Sequence, residues 1–146
     1  MIIVLLGRTS SGKDTVCNQL IQEGYKSWLT YTTRPMRPGE VQDETYHFIS
    51  KEEFETLISK GFFAEHTSYD AKEGIWFYGS AYDDYENESD LIVILNPSGY
   101  DQILKNLNKE DITSFYIYSN IKQLKQIKEA WRQERRSCKT YRSRFD

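Results

Sequence analysis

The 146-residue chain has few of the residues that staple, break or dissolve a fold. Its two cysteines, Cys17 and Cys138, are far apart and show no short metal-ligand spacing. That excludes a disulfide scaffold and a zinc motif, and it points to reduced thiols in a cytoplasmic setting. Cys17 falls inside an expected helix and reads as core packing. There are three prolines, and two of them, Pro35 and Pro38, sit in one segment over 32–40. No apolar run approaches the length needed to cross a bilayer. The first run, Ile2-Ile3-Val4-Leu5-Leu6, passes at once into a polar loop, so it reads as a buried strand and not as a signal peptide. Repeats and low-complexity linkers are absent, which excludes solenoid and disordered classes. The length suits one domain.

Charged residues are ordinary in number at 28%, and the small net charge is unevenly spread. Nine Lys or Arg and two Glu lie between Lys122 and Arg144, a local +7, so the net charge of −3 leaves −10 on the rest. A basic tail on an acidic body fits two readings, nucleic-acid binding or closure over the phosphates of a nucleotide. The acidic body disfavours nucleic acid, and no nucleic-acid or membrane partner is expected. Aromatics are plentiful at 14%, with eleven tyrosines. They suit a planar or phosphorylated ligand, and equally a small aromatic core.

The strongest signal is Gly7-Arg8-Thr9-Ser10-Ser11-Gly12-Lys13. It follows the apolar strand and opens a segment with helical character over 14–23. Strand, glycine-bounded loop ending in Gly-Lys, then helix is the context of a P-loop. The glycines let the backbone wrap a phosphate, its N–H groups converge on the oxygens, and the helix N-terminus adds positive potential. Lys13 can reach the terminal phosphates. Gly7, Thr9, Ser10, Ser11, Gly12, Lys13, Asp14 and Thr15 therefore form a candidate ATP-binding set. Asp14 occupies the position where a Ser or Thr hydroxyl ordinarily holds Mg²⁺, with Thr15 next to it, and becomes the candidate metal ligand.

The pattern predicts strands at 2–6, 27–31, 45–49, 62–66, 75–78, 91–95 and 114–118. Helices are expected over 14–23 with Gly24 as its stop, 50–60, 98–106 and about 120–136, the last capped by Asn120. Ser50 and Glu53 make a capping box, and Gly61 ends that helix. The run Leu91-Ile92-Val93-Ile94-Leu95 has the continuous apolar character of a strand buried on both faces. Alternating strands and helices predict an α/β fold: a three-layer, parallel-sheet P-loop NTPase core with a small α+β insert and a partial lid.

Five further segments, in order, carry a resemblance. They are Thr30-Tyr31-Thr32-Thr33-Arg34-Pro35-Met36-Arg37-Pro38-Gly39-Glu40, Tyr46-His47-Phe48, Phe63-Ala64-Glu65, Phe77-Tyr78-Gly79-Ser80 and Leu95-Asn96-Pro97-Ser98-Gly99. With the P-loop they cover residues 2 to about 99, and they resemble the guanylate kinase family. The resemblance divides the chain into a core over 1–31 and 88–125, a nucleotide-binding insert over 32–87 and a lid over 126–146. It implies Mg²⁺-dependent transfer of a phosphoryl group from ATP to GMP or dGMP. Arg34, Arg37, Tyr46 and Tyr78 match the residues that hold the acceptor phosphate; two arginines on one loop can fork onto a dianion. Glu65 matches the carboxylate that reads guanine, since it accepts from N1–H and the 2-amino group where adenine offers a bare acceptor. Thr30, Ser80 and Asn96 match the remaining base contacts. Lys13, with Arg132, Arg136 and Arg144 from the lid, would stabilise charge on the moving phosphoryl group. Arg142 is the near rival of Arg144.

The chain departs from the family pattern in several places. Asn96 replaces an acid that helps hold the guanine amino group, and Asp14 replaces the hydroxyl of the P-loop. His66 to Trp76 is longer than the family hairpin, either for extra substrate contacts or as a loop insertion. The spacing from Arg136 to Arg144 is short. The chain ends at Asp146, where the family continues, so the resemblance reads the C-terminus as incomplete and leaves a sheet edge open to self-association. Two other functions stay open beside GMP kinase: a kinase for another (deoxy)nucleoside monophosphate, and a non-catalytic guanylate-kinase-like module that binds a peptide. The retained Gly12-Lys13 argues against the second.

Overall fold

The computed structural model describes residues 1–87 and 90–118. The chain runs β1 (Ile2–Leu6), α1 (Lys13–Gln22), β2 (Lys26–Ser27), β3 (Tyr31–Thr32), β4 (His47–Phe48), α2 (Lys51–Ser59), β5 (Phe63–Ala71) and β6 (Gly74–Ala81). It continues through α3 (Tyr82–Asn87), β7 (Leu91–Ile94), α4 (Pro97–Asn106), a 3₁₀ turn (Lys109–Asp111) and β8 (Ile112–Tyr116). The final helix expected over 120–136 lies outside the described residues.

The core sheet has the order β2-β7-β1-β8, and every pair in it is parallel. Its central strands are apolar at every position because both faces are covered. Ile2 and Val4 pack with Leu91, Val93, Trp28 and Ile103 of α4 on one side. Ile3, Leu5 and Ile92 pack with Cys17 of α1 on the other. Helix, sheet and helix make the three-layer α/β core expected from the sequence. Cys17 is a free, buried thiol in that packing, and burial raises its pKa, as does the nearby Asp14 carboxylate.

The second sheet has the order β4-β3-β6-β5. The expected strand over 27–31 is in fact divided. Lys26–Ser27 pairs with β7 in the core, and Tyr31–Thr32 pairs with β6 in the insert. Trp28 sits at the crossing, fully buried, with its indole N–H donating to the Ala81 carbonyl at 3.2 Å. The insert sheet is mixed: β3 pairs with β4 in parallel and with β6 antiparallel. The stretch from His66 to Trp76 is not an irregular loop. β5 and β6 stay paired from Phe63↔Ala81 out to Ala71↔Gly74, leaving only Lys72 and Glu73 in the turn.

The outer edge of β5 is closed by α4. Gln102 accepts from the His66 N–H at 3.0 Å and donates to the His66 carbonyl at 2.8 Å, and Asn106 donates to the Ala64 carbonyl at 2.8 Å. Two side-chain amides thus take the place of a neighbouring strand, satisfying backbone groups that an edge would leave open. That fixes the insert's long hairpin against the core. The capping box of α2 forms as expected: the Ser50 hydroxyl accepts from Glu53 N–H at 3.1 Å, and the Glu53 carboxylate accepts from Ser50 N–H at 2.9 Å. No helix among the described residues is long and apolar enough to cross a membrane.

Candidate active site

The glycine-bounded loop joins β1 to α1. Gly7, Ser10 and Gly12 all take positive φ, so the chain turns tightly enough for its amides to face one point. A Cβ at Gly7 would run into the Ile117 carbonyl and approach the Ser11 hydroxyl to 2.8 Å. Gly12 begins α1 without any side-chain cap, so the first N–H groups of the helix are left for a ligand. The Ser11 hydroxyl is buried and has no hydrogen-bond partner. Lys13 folds back on the loop, its ammonium donating to the Gly7 and Arg8 carbonyls at 2.9 and 2.8 Å. Asp14 and Thr15 are exposed on the first turn of α1. No group of three His, Cys, Asp or Glu that could hold a metal exists among the described residues. Asp14 is the acidic residue of that first turn, an oxygen donor of the kind that suits Mg²⁺ beside phosphate oxygens.

Beside the loop is a cavity of about 530 Å³, within the roughly 300–1,000 Å³ of small-molecule sites. It gathers Thr30, Tyr46, Glu65, Tyr78 and Asn96 with Thr9 of the P-loop. Glu65, Thr67, Tyr69 and Ala71 line it from alternate positions of β5, and Trp76 and Tyr78 from β6. Period-two alternation puts all of these on one face of the hairpin. Thr67, Tyr69 and Trp76 were not singled out from the sequence, although that alternation was there to be read. Arg34 and Arg37 do not line the cavity.

Glu65 is 2% exposed. Ser80, itself fully buried, donates its hydroxyl to Glu65 Oε1 at 2.7 Å. On the other side Oε2 lies so close to Gly99 that a Cβ there would meet it at 2.7 Å. Desolvation pushes the Glu65 carboxyl up to about 7, against the pull of the Ser80 hydrogen bond. A buried acid in this state takes up or gives up a proton near neutrality, according to what is placed against it.

Arg34 is 4% exposed and already engaged. Its guanidinium forks onto Glu40 at 2.7 and 2.9 Å, donates to the Pro35 carbonyl at 2.8 Å, and lies over the Tyr46 and Phe48 rings. Its hydrogen bonds to the Glu40 carboxylate raise its pKa, and the Tyr78 hydroxyl acts in the same direction. Glu40 is correspondingly lowered by Arg34 and by the Arg37 N–H, which donates at 2.7 Å. Arg37 keeps an exposed side chain. Burial also raises the Tyr46 hydroxyl.

Asn96 is the N-cap of α4. Its Oδ1 accepts from Gly99 N–H at 2.7 Å, and its Nδ2 donates to the Tyr69 hydroxyl at 2.6 Å. Each end of the amide thus makes one hydrogen bond, which fixes its orientation at the rim of the cavity. Arg132, Arg136 and Arg144 lie outside the described residues, as does Arg142.

The sequence profile described as guanylate kinase matches residues 1–143. A guanylate kinase of Clostridioides difficile is 33% identical over 132 residues, covering 86% of this chain and 62% of that protein. One from Symbiobacterium thermophilum is 48% identical over 67 residues, covering 44% of this chain and 32% of the relative. Among solved structures, the guanylate kinase of Anaplasma phagocytophilum superposes with a TM-score of 0.70 at 27% identity, covering 87% of this chain and 65% of that one. The chain thus spans less than two thirds of the length of these relatives. A profile match along nearly the whole chain, on a fold that sets a P-loop beside a carboxylate-bearing cavity, has one meaning: the chain belongs to the guanylate kinase family.

Proposed function

We propose that the protein transfers the terminal phosphoryl group of ATP to GMP or dGMP. The observation that carries this reading is the juxtaposition of the P-loop with a cavity whose buried acceptor is Glu65. Guanine brings N1–H and a 2-amino group to that carboxylate. Adenine brings an acceptor, which would face an unpaired carboxylate in a desolvated site and be rejected strongly.

The donor half works by exchange of partners. Lys13 leaves the carbonyls of Gly7 and Arg8 for phosphate oxygens, the Ser11 hydroxyl gains an acceptor, and the open N-terminus of α1 receives anionic charge. When bound with ATP, Mg²⁺ would neutralise phosphate charge, and Asp14 is the side chain placed to hold it. Tyr46 and Tyr78 offer hydroxyls to the acceptor phosphate. Arg34 supports them from behind with a permanent positive charge that Glu40 keeps in place, and exposed Arg37 is free to swing onto the phosphate. Arg132, Arg136 and Arg144 are assigned to the lid by resemblance. Transfer of this kind needs positioning and charge neutralisation more than covalent help from the protein.

A second reading is the same transfer to another (deoxy)nucleoside monophosphate. Asn96 favours it, because an amide oxygen is a poorer acceptor for the 2-amino group than the carboxylate it replaces. ADP release measured across ribo- and deoxynucleoside monophosphates, with Lys13→Ala as control, separates the two. Activity confined to GMP and dGMP supports the first reading. Comparable turnover of another base supports the second. Absence of turnover with every acceptor removes both.

A further inference from the structure

Two cavities share a wall that includes Tyr69. The acceptor cavity and a second one of about 590 Å³ over Gly7, Arg8 and Lys13 share Thr9, Tyr69, Ile94, Leu95 and Asn96 in their linings. Of these shared residues, Thr9, Tyr69 and Asn96 carry polar side chains. Asn96 is locked: the cap bond from Gly99 N–H identifies its oxygen, so the nitrogen is what faces Tyr69. The Tyr69 hydroxyl therefore accepts a hydrogen bond, and its own proton is left to donate. Among the described residues nothing accepts that proton.

The residue is 46% exposed, and its ring is steadied from the hairpin side. Tyr69 pairs across the hairpin with Trp76, and its ring meets that of Tyr78 edge to face at 5.5 Å. It lies four residues beyond Glu65 on the same face of β5, about 13 Å along the strand. Glu65 thus marks the base end of the cavity and Tyr69 the end that opens on the P-loop. A group passing between donor and acceptor passes this phenol.

We propose that Tyr69 is a further catalytic residue, donating a hydrogen bond to an oxygen of the phosphoryl group as it moves, with Asn96 as its positioning residue. The inference rests on the kinase reading above. Tyr69 keeps its proton throughout, so no bond to it forms or breaks. The contribution is a neutral donor oriented by Asn96 and aimed at developing charge.

The test compares the parent with Tyr69→Phe and Asn96→Ala in steady-state turnover of ATP and GMP. It adds titration of a bridging ligand, adenosine and guanosine joined through five phosphates, which fills both cavities without reaction. Tyr69→Phe is expected to lower kcat about ten- to a hundredfold, the range for a hydrogen bond to a charged group, with the GMP KM nearly unchanged. It should weaken the bridging ligand about tenfold or more while leaving GMP affinity alone. Asn96→Ala should fall in the same direction, and the double variant should lose little beyond Tyr69→Phe alone. An unchanged kcat and unchanged bridging affinity in Tyr69→Phe overturn the proposal. So does a raised GMP KM at full kcat, which would make Tyr69 a wall of the acceptor cavity only. If the parent binds neither GMP nor the bridging ligand, the kinase reading fails and takes this inference with it.

Discussion

The Ser80 hydroxyl donates to Glu65 Oε1 at 2.7 Å, and both side chains are buried beneath the first turn of α4. One hydroxyl does not offset the loss of water around a carboxylate, so the acid is pushed up to about 7. In the unfolded chain the same group ionises near 4.5. Between those values the folded protein holds a proton that the unfolded chain has lost. The stabilisation from this group is therefore complete below about pH 4.5 and is lost as pH rises through about 7. Glu65→Gln removes the titration. Its stability relative to the parent should rise by roughly 1–3 kcal/mol between pH 4.5 and pH 8. Urea denaturation at the two pH values reads the difference, and a gap independent of pH contradicts the burial argument.

Ligand binding should reverse the same proton. Guanine donates to the ionised carboxylate, so GMP binding drives the proton off and strengthens as pH rises towards 7. Below that, affinity should fall by up to about tenfold per pH unit. Calorimetry in buffers of different ionisation enthalpy reports the released proton directly. Glu65→Gln corrects for the phosphate's own titration, and the parent should show a slope that the variant lacks. Identical slopes would mean that the base does not sit on Glu65.

Arg34 depends on Glu40. Breaking their forked pair leaves a guanidinium facing tyrosine and phenylalanine rings with one carbonyl for company. Glu40→Ala should lower stability by about 1–2 kcal/mol, since the carboxylate side is partly open to water. It should also raise the GMP KM several-fold, as Arg34 loses the anchor behind Tyr46. Wild-type stability and KM in the variant would show that the pair is incidental.

Asp14 makes the donor loop more negative than a hydroxyl would. Nucleotide binding without metal should therefore be unusually weak. In Asp14→Ser the requirement for free Mg²⁺ should become shallower, with metal-free ATP affinity rising several-fold. Titration of ATP with and without chelator reads this independently of turnover. Equal metal dependence in parent and variant would remove Asp14 from the metal site.

These predictions draw on features of different legibility. The P-loop, the Ser50 capping box and the all-apolar β1 and β7 were plain in the sequence because each is set by neighbours a few residues apart. Between His66 and Trp76 the strands of the hairpin run further than the sequence suggests. Asp70, Lys72, Glu73 and Gly74 look like turn formers, yet only Lys72 and Glu73 turn, and Thr67, Tyr69, Trp76 and Tyr78 still alternate onto one face. The division of the strand at Trp28 follows from two different sheets competing for adjacent residues, which local propensity does not encode. The commitments of Arg34 to Glu40 and of Asn96 to Gly99 and Tyr69 are the hardest to see. Residue type suggested ligand contacts, and only the packed structure shows these side chains already hydrogen-bonded within the protein.

In the proposed reaction Lys13 and Glu65 serve the two halves of one transfer. The decisive measurement follows labelled terminal phosphate from ATP to GMP and, separately, to AMP, in the parent, Lys13→Ala and Glu65→Gln. The expected result is labelled GDP from the parent, no comparable transfer to AMP, near-complete loss in Lys13→Ala, and a lowered preference for GMP in Glu65→Gln. Transfer to AMP as readily as to GMP, or a Glu65→Gln variant with the parent's preference, would contradict it.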